Sequence, residues 1–331
     1  MLKYLKVFLV LCLVCSSFQR LYAQTELKYT LPELRQLLKN SKTAADRIYY
    51  QIRISNFYTF NKFFSRKNID SAVYFANAAL QESAKEPTGT WYGKSQLALA
   101  KAKLVTNEIP FVLNQIKAKR KDIEIQLLIE VGAFYLYKPK EERKDLDSAL
   151  LLLNQAIRLS KSASLPNLQH LAELYISDVY QERGENVRAR IAFATLIDQC
   201  TKAGDFKAAA AANSRWGDHQ PLTQEKINYY QSASRLYKQI GDTEEYIGME
   251  KAIADVQLNM GMLKEAETGL LSIIQQYQAL GYKNLQYTYD LLSVVNRLQG
   301  KLKESLSNTL LAIKYMKITE SDVSKGYFLS N

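Results

Sequence analysis

Glycines divide this chain at a nearly fixed interval. Gly241, Gly261, Gly281 and Gly300 stand 20, 20 and 19 residues apart, and Gly184 and Gly204 are also 20 apart. Glycine accepts the left-handed conformation that ends an α-helix. The blocks between the glycines carry apolar residues three and four apart, the spacing of an amphipathic helix. In "MLKEAETGLLSIIQQYQAL", Leu263, Ala266, Leu270, Ile273, Ile274 and Tyr277 recur in this way. The reading is helix, tight turn, helix, tight turn. All six prolines, at 32, 87, 110, 139, 166 and 221, fall between helical blocks, as a fixed φ and a missing N–H require. Sustained apolar–polar alternation and Asn-Gly or Asp-Gly hairpin turns are absent, so strands are not expected.

Two helices per unit imply a period near 40 residues, and the second helices align on one. The pattern is a small residue, an aromatic or apolar one four positions later, and a small or apolar one seven positions later, with departures at some positions. The sets are Ala72, Ala76 and Ala79; Ala149, Leu153 and Ala156; Ala189, Phe193 and Leu196; Lys226, Tyr230 and Ala233; Ala266, Leu270 and Ile273; and Ser305, Thr309 and Ala312. The first positions step by 77, 40, 37, 40 and 39. The step of 77 leaves room for one more unit at "NEIPFVLNQIKAKR", with Val112 near its anchor. Small residues let the helices of a hairpin approach closely. The residue at plus four fills the groove to the next hairpin. One hairpin cannot bury both its faces, so neighbours must stack.

With these sets in register, residues 43–331 resemble the tetratricopeptide repeat family. First helices add partial matches to its Leu-Gly-x-x-Tyr pattern: Val131, Gly132 and Tyr135; Ile176, Ser177 and Tyr180, followed by Gly184; Ile253 and Ala254, followed by Gly261. The chain departs from the family at Lys226 and Ser305, in the scarcity of repeat-ending prolines, and in a period nearer 40 than 34. The resemblance implies an all-α, right-handed α-solenoid of about seven helix-turn-helix repeats, the last one incomplete. It also implies a concave face lined mainly by first helices. Counting from the anchors puts Asp178, Gln181, Arg215, Lys251, Asp255 and Arg297 on that face, with Trp216 beside Arg215 either there or in the core. Such a lining suits protein or peptide segments with charged ends. The structural anchors are Ala72, Ala149, Ala189, Tyr230, Ala233, Ala266 and Ala312. The open last repeat offers an edge for pairing with a second copy. Residues 34–85, which open with the short leading helix of the 24–42 segment, look like the start of exported repeat regions that precede a membrane helix and histidine kinase in some bacterial sensor proteins. A second reading is therefore the sensor front of a histidine kinase whose membrane and catalytic parts lie outside this chain.

Residues 1–23 read as a secretory signal peptide. Lys3 and Lys6 precede the nine apolar residues Val7–Cys15, and cleavage is expected after Ala23. A spanning helix needs roughly 20 apolar residues, and no such run occurs elsewhere. The expected address is periplasmic or extracellular. Three of the 44 basic residues lie in the leader, which carries no acid, so residues 24–331 have a net charge of +8 against 33 acids. The charges are mixed throughout and export is expected, so nucleic acid is not an expected partner.

Beyond the leader only Cys200 remains, read as a small packed side chain. His170 and His219 are 49 residues apart, each without a ligand at metal spacing, and are read as surface or groove side chains. No nucleophile elbow, metalloprotease helix or phosphate-binding glycine loop occurs. The sequence therefore points to a non-enzymatic binding scaffold without catalytic residues, cofactor or metal. Its 22 tyrosines fit either helix packing or a binding groove.

Overall fold

The computed structural model describes residues 29–60, 66–87, 89–115 and 120–319. The signal-peptide reading lies outside these, as does, from residue 320 on, the expected incomplete last repeat at 319–331. Fifteen α-helices and no strand occur among the described residues. No helix there is long and apolar enough to cross a membrane.

The described residues divide into two compact units, 30–216 and 217–318. The first opens with α1 (Leu31–Asn40), started by a capping box in which Thr30 and Glu33 satisfy each other's backbone N–H groups. Four hairpins follow. They are α2 (Ala44–Phe60) with α3 (Arg66–Ser83), α4 (Thr90–Val105) with the seven-residue α5 (Ile109–Gln115), α6 (Lys121–Tyr137) with α7 (Arg143–Ser162), and α8 (Pro166–Glu182) with α9 (Asn186–Ala203). Helix α10 (Phe206–Asp218) completes this unit through Trp216. The second unit begins with the last residues of α10. It continues through α11 (Gln224–Gln239) and two hairpins, α12 (Thr243–Asn259) with α13 (Leu263–Ala279) and α14 (Gln286–Leu298) with α15 (Leu302–Thr319). Within the first unit each first helix also packs on the next first helix, α2 on α4, α4 on α6 and α6 on α8. That contact aligns first-helix side chains across successive hairpins.

The six spaced glycines all adopt positive φ, between 72° and 78°. After each, the next residue's N–H donates to a carbonyl five residues back, as in Asp205 N–H to Cys200 O at 2.9 Å and Met262 N–H to Gln257 O at 2.8 Å. These are Schellman closures. The same closure follows Asn107 and Ser164, with φ of 61° and 54°. No glycine marks those turns.

The anchors are buried in both units. Ala149, Leu153 and Ala156 on α7, and Ala189 and Phe193 on α9, are fully enclosed. So are Ala233 on α11, Ala266 and Leu270 on α13, and Ala312 on α15. Opposite two bulky plus-four residues stands a first-helix glycine. A Cβ on Gly132 would lie 2.8 Å from Leu153, and one on Gly217 would lie 2.8 Å from the Tyr230 ring. The groove that receives the bulky side chain is therefore backbone at these points. The two irregular anchors have their own chemistry. Lys226 Nζ donates to the carbonyls of Asp218 (3.0 Å) and Gln220 (3.2 Å), which are left without helical partners at the end of α10. Ser305 donates its hydroxyl to the Ser293 carbonyl at 2.9 Å, satisfying a buried polar group inside the final hairpin.

Candidate functional site

In the first unit the aligned first helices carry a run of polar and aromatic contacts. On α2, Tyr49 is 37% exposed and packs edge-on against Trp91 of α4, with ring centroids 6.2 Å apart. Arg53 lies 5.9 Å from the Tyr49 ring. Exposed Lys94 lies 4.7 Å from the Trp91 ring. Both cations are within cation–π reach. From α4 to α6, Lys101 pairs with Glu130 at 3.0 Å. From α6 through α8 to α10, the Tyr137 hydroxyl donates to Asp178 Oδ2 at 2.6 Å, and Arg215 reaches the same oxygen at 3.0 Å while also contacting the Tyr137 hydroxyl.

The Tyr137–Asp178–Arg215 cluster is a lock between three helices. Asp178 is 1% exposed. A carboxylate so enclosed needs a paired cation, and Arg215 supplies it. Withdrawal from water pushes the Tyr137 phenol well above the usual tyrosine range, and the Asp178 charge adds to this against the opposing Arg215. Tyr137 therefore remains a neutral donor. Tyr175 packs edge-on at 6.1 Å, and burial raises its phenol too.

The other first-helix candidates are distributed as follows. Gln181 lies on the same face of α8 as Asp178, one turn on, and its carboxamide oxygen is buried with no hydrogen-bond partner. Trp216 stacks on the buried Phe193 at 5.1 Å. That contact joins it to the packed interior of the first unit. In the second unit, Lys251 and Asp255 on α12 are half-buried and Arg297 on α14 is exposed. The structure thus brings Asp178, Gln181 and Arg215 to one locality of the 30–216 unit. Tyr49, Arg53 and Lys94 were not legible as candidates: each cation sits within one turn of its own ring, but Tyr49 and Trp91, 42 positions apart in sequence, meet only because α2 packs on α4.

His170 differs from its expected surface or groove position. It is 7% exposed, and its Nδ1 meets Asp205 Oδ2 at 2.7 Å. The α9–α10 turn delivers Asp205 to it, a convergence that linear spacing does not show. His219 is half-buried in the connection after α10.

No family model and no curated protein matches the chain. Among solved structures, it is similar to a signal-transduction ATPase with numerous domains and a tetratricopeptide repeat sensor from Pyrococcus horikoshii. The identity is 14% and the TM-score 0.47, over 90% of this chain and 45% of that one, so the chain spans less than half of that protein. It is also similar to the apo form of the quorum sensor NprR from B. thuringiensis, at 15% identity and a TM-score of 0.41, covering 86% of this chain and 92% of that one. A Rap protein complexed with competence and sporulation factor matches at 11% identity and a TM-score of 0.42, covering 91% and 96%. The alternation of first and second helices, their left-handed turns and their small anchors make the chain an all-α, tetratricopeptide-like helical-repeat protein.

Proposed function

We propose that the chain is an exported, non-enzymatic binding protein, and that the first-helix face of its 30–216 unit receives an extended segment of a protein or peptide. One observation carries this reading. Tyr49 and Trp91 form an aromatic pair that remains partly open, with the exposed Lys94 cation beside it. Aromatic rings offer rigid contact area at low entropic cost, and a cation beside them favours a carboxylate-bearing segment. Gln181 adds a buried oxygen that lacks a donor, which a backbone N–H of the bound segment would supply. Elsewhere on this face, the Tyr137–Asp178–Arg215 lock holds the helices in place, so the surface is largely preformed.

The test is capture of partners from periplasmic extract by the chain lacking residues 1–23, compared with Trp91→Ala, Lys94→Glu and Tyr74→Ala. Tyr74 is 67% exposed on the second helix α3 and serves as the control. Capture lost in Trp91→Ala and Lys94→Glu but kept in Tyr74→Ala supports the first-helix face. Equal capture by all four, with folding verified by circular dichroism, places binding elsewhere. The resemblance of residues 34–85 to exported sensor regions favours a second reading, the ligand-reading front of a signalling kinase. A reading frame that continues into an apolar span and a kinase core would support it.

A further inference from the structure

His170, Cys200 and Asp205 come from three places in the 30–216 unit: the first turns of α8, the last turn of α9, and the turn into α10. The Schellman closure at Gly204 joins two of them, because Asp205 N–H donates to the Cys200 carbonyl at 2.9 Å. Asp205 then divides its carboxylate. Oδ1 accepts from Ala208 N–H at 3.1 Å and caps α10, while Oδ2 meets His170 Nδ1 at 2.7 Å. One ligand atom from each of the three residues lies within 4.8 Å of the others. Cys200 is fully buried.

Imidazole, thiolate and carboxylate are the ligand types of zinc, and a tetrahedral ion holds such atoms roughly 3.3–3.6 Å apart. To close the set, His170 and Asp205 would exchange their 2.7 Å hydrogen bond for bonds to the ion, parting by about 0.6 Å, while the wider separations shorten by about 1 Å. A fourth group, a carboxylate, stands outside this cluster and would have to turn toward it. Glu173 lies one turn beyond His170 on the same face of α8. Its Oε1 accepts from Gln169 at 2.8 Å, and its Oε2 is buried with no hydrogen-bond partner. Its charge and that of Asp205 both act on the Cys200 thiol.

A thiol beside histidine and aspartate is also the composition of a hydrolase nucleophile. The environment argues against that use. Cys200 has no solvent access, and burial, with smaller contributions from the two carboxylates, pushes its thiol up to about 12. A reactive cysteine needs the opposite shift. A metal ion removes the difficulty, since coordination displaces the thiol proton to solvent as the sulfur–metal bond forms.

We propose that His170, Cys200 and Asp205, with Glu173 as the fourth ligand, form a buried structural site for one zinc ion that fastens α8, α9 and the start of α10 together. The experiment is a titration of the metal-free chain with Co2+ as the probe, followed by Zn2+ competition. One equivalent of cobalt should bind with a thiolate-to-cobalt charge-transfer band, zinc should displace it, and the melting temperature should rise. Cys200→Ser should abolish the band. His170→Gln should weaken zinc binding on the order of 100-fold or more, at or beyond the loss that removal of an outer-shell partner brings. Asp205→Asn keeps an N-cap of equal quality, so it reports on ligation with the fold held, and should weaken binding at least about tenfold. The proposal is overturned if the folded wild-type chain gives no cobalt–thiolate band and no thermal shift. It is equally overturned if Cys200→Ser and Asp205→Asn bind zinc as tightly as wild type.

Discussion

Replacing Tyr230 by alanine tests the register of the repeat at its least regular unit. The side chain is 1% exposed, its hydroxyl donates to Asp218 Oδ1 at 2.6 Å, and the Lys226 ammonium lies 5.5 Å from its ring centroid. Removing a buried aromatic ring costs about 3–5 kcal/mol. Tyr230→Phe keeps the ring and loses the hydrogen bond to a carboxylate, for about 1.5–3 kcal/mol. The partner position gives a sharper measurement. A Cβ at Gly217 would meet the Tyr230 ring at 2.8 Å, so Gly217→Ala forces a shift worth about 1–3 kcal/mol. Against this, alanine is favoured over glycine in a helix by about 1 kcal/mol. With Tyr230 present the substitution should be neutral to destabilising. In the Tyr230→Ala background the ring is gone and only Tyr229 Cβ, 3.2 Å away, remains close, so Gly217→Ala should be clearly less unfavourable than with Tyr230 present and stabilise by at most about 1 kcal/mol. Urea unfolding followed by far-ultraviolet circular dichroism on the four chains gives the coupling directly. An unchanged midpoint for Tyr230→Ala, or the same Gly217→Ala effect in both backgrounds, would refute the packing described.

Ser164 holds a left-handed turn that costs a side-chain-bearing residue about 1–2 kcal/mol, so Ser164→Gly should raise the unfolding midpoint while Gly184→Ala lowers it. Arg215→Ala strands the buried Asp178 carboxylate and should cost about 3 kcal/mol or more in urea unfolding, with part recovered when Asp178→Asn is added. Asp145 is paired with Lys138 at 2.8 Å and accepts from Glu142 N–H, and these contacts hold its carboxyl below the usual range. Its stabilisation is therefore complete above the ordinary aspartate value of about 3.9 and is lost as pH falls through the lower folded-state value. Asp145→Asn should lower the urea midpoint at neutral pH and flatten its fall below about pH 4.

The turns and the core were largely legible because both are local. A glycine after an amphipathic block specifies a left-handed closure, and an alanine in a repeating register specifies close approach. The turns at Asn107 and Ser164 were hidden because the preceding helices impose positive φ on residues that merely tolerate it. Lys226 read as a departure from the pattern because its role depends on the carbonyls ending α10, which periodicity does not report. The candidate sites were less legible for the same reason. Tyr49 meets Trp91 across a helix pair, and His170 meets Asp205 across 35 residues, by packing and turn geometry. Spacing along the chain carries no record of either.

In the 30–216 unit, the packing within hairpins and of first helices on the next first helix also bears on how the chain gains its structure. The substantial helix contacts of the 30–216 unit join elements close in sequence, so little loop entropy is spent before contacts form. Folding can begin at whichever hairpin is locally firmest and spread outward by stacking. Amide exchange should then vary by hairpin rather than report one global opening. The α4–α5 hairpin, whose second helix is only seven residues long, should be where protection is lowest.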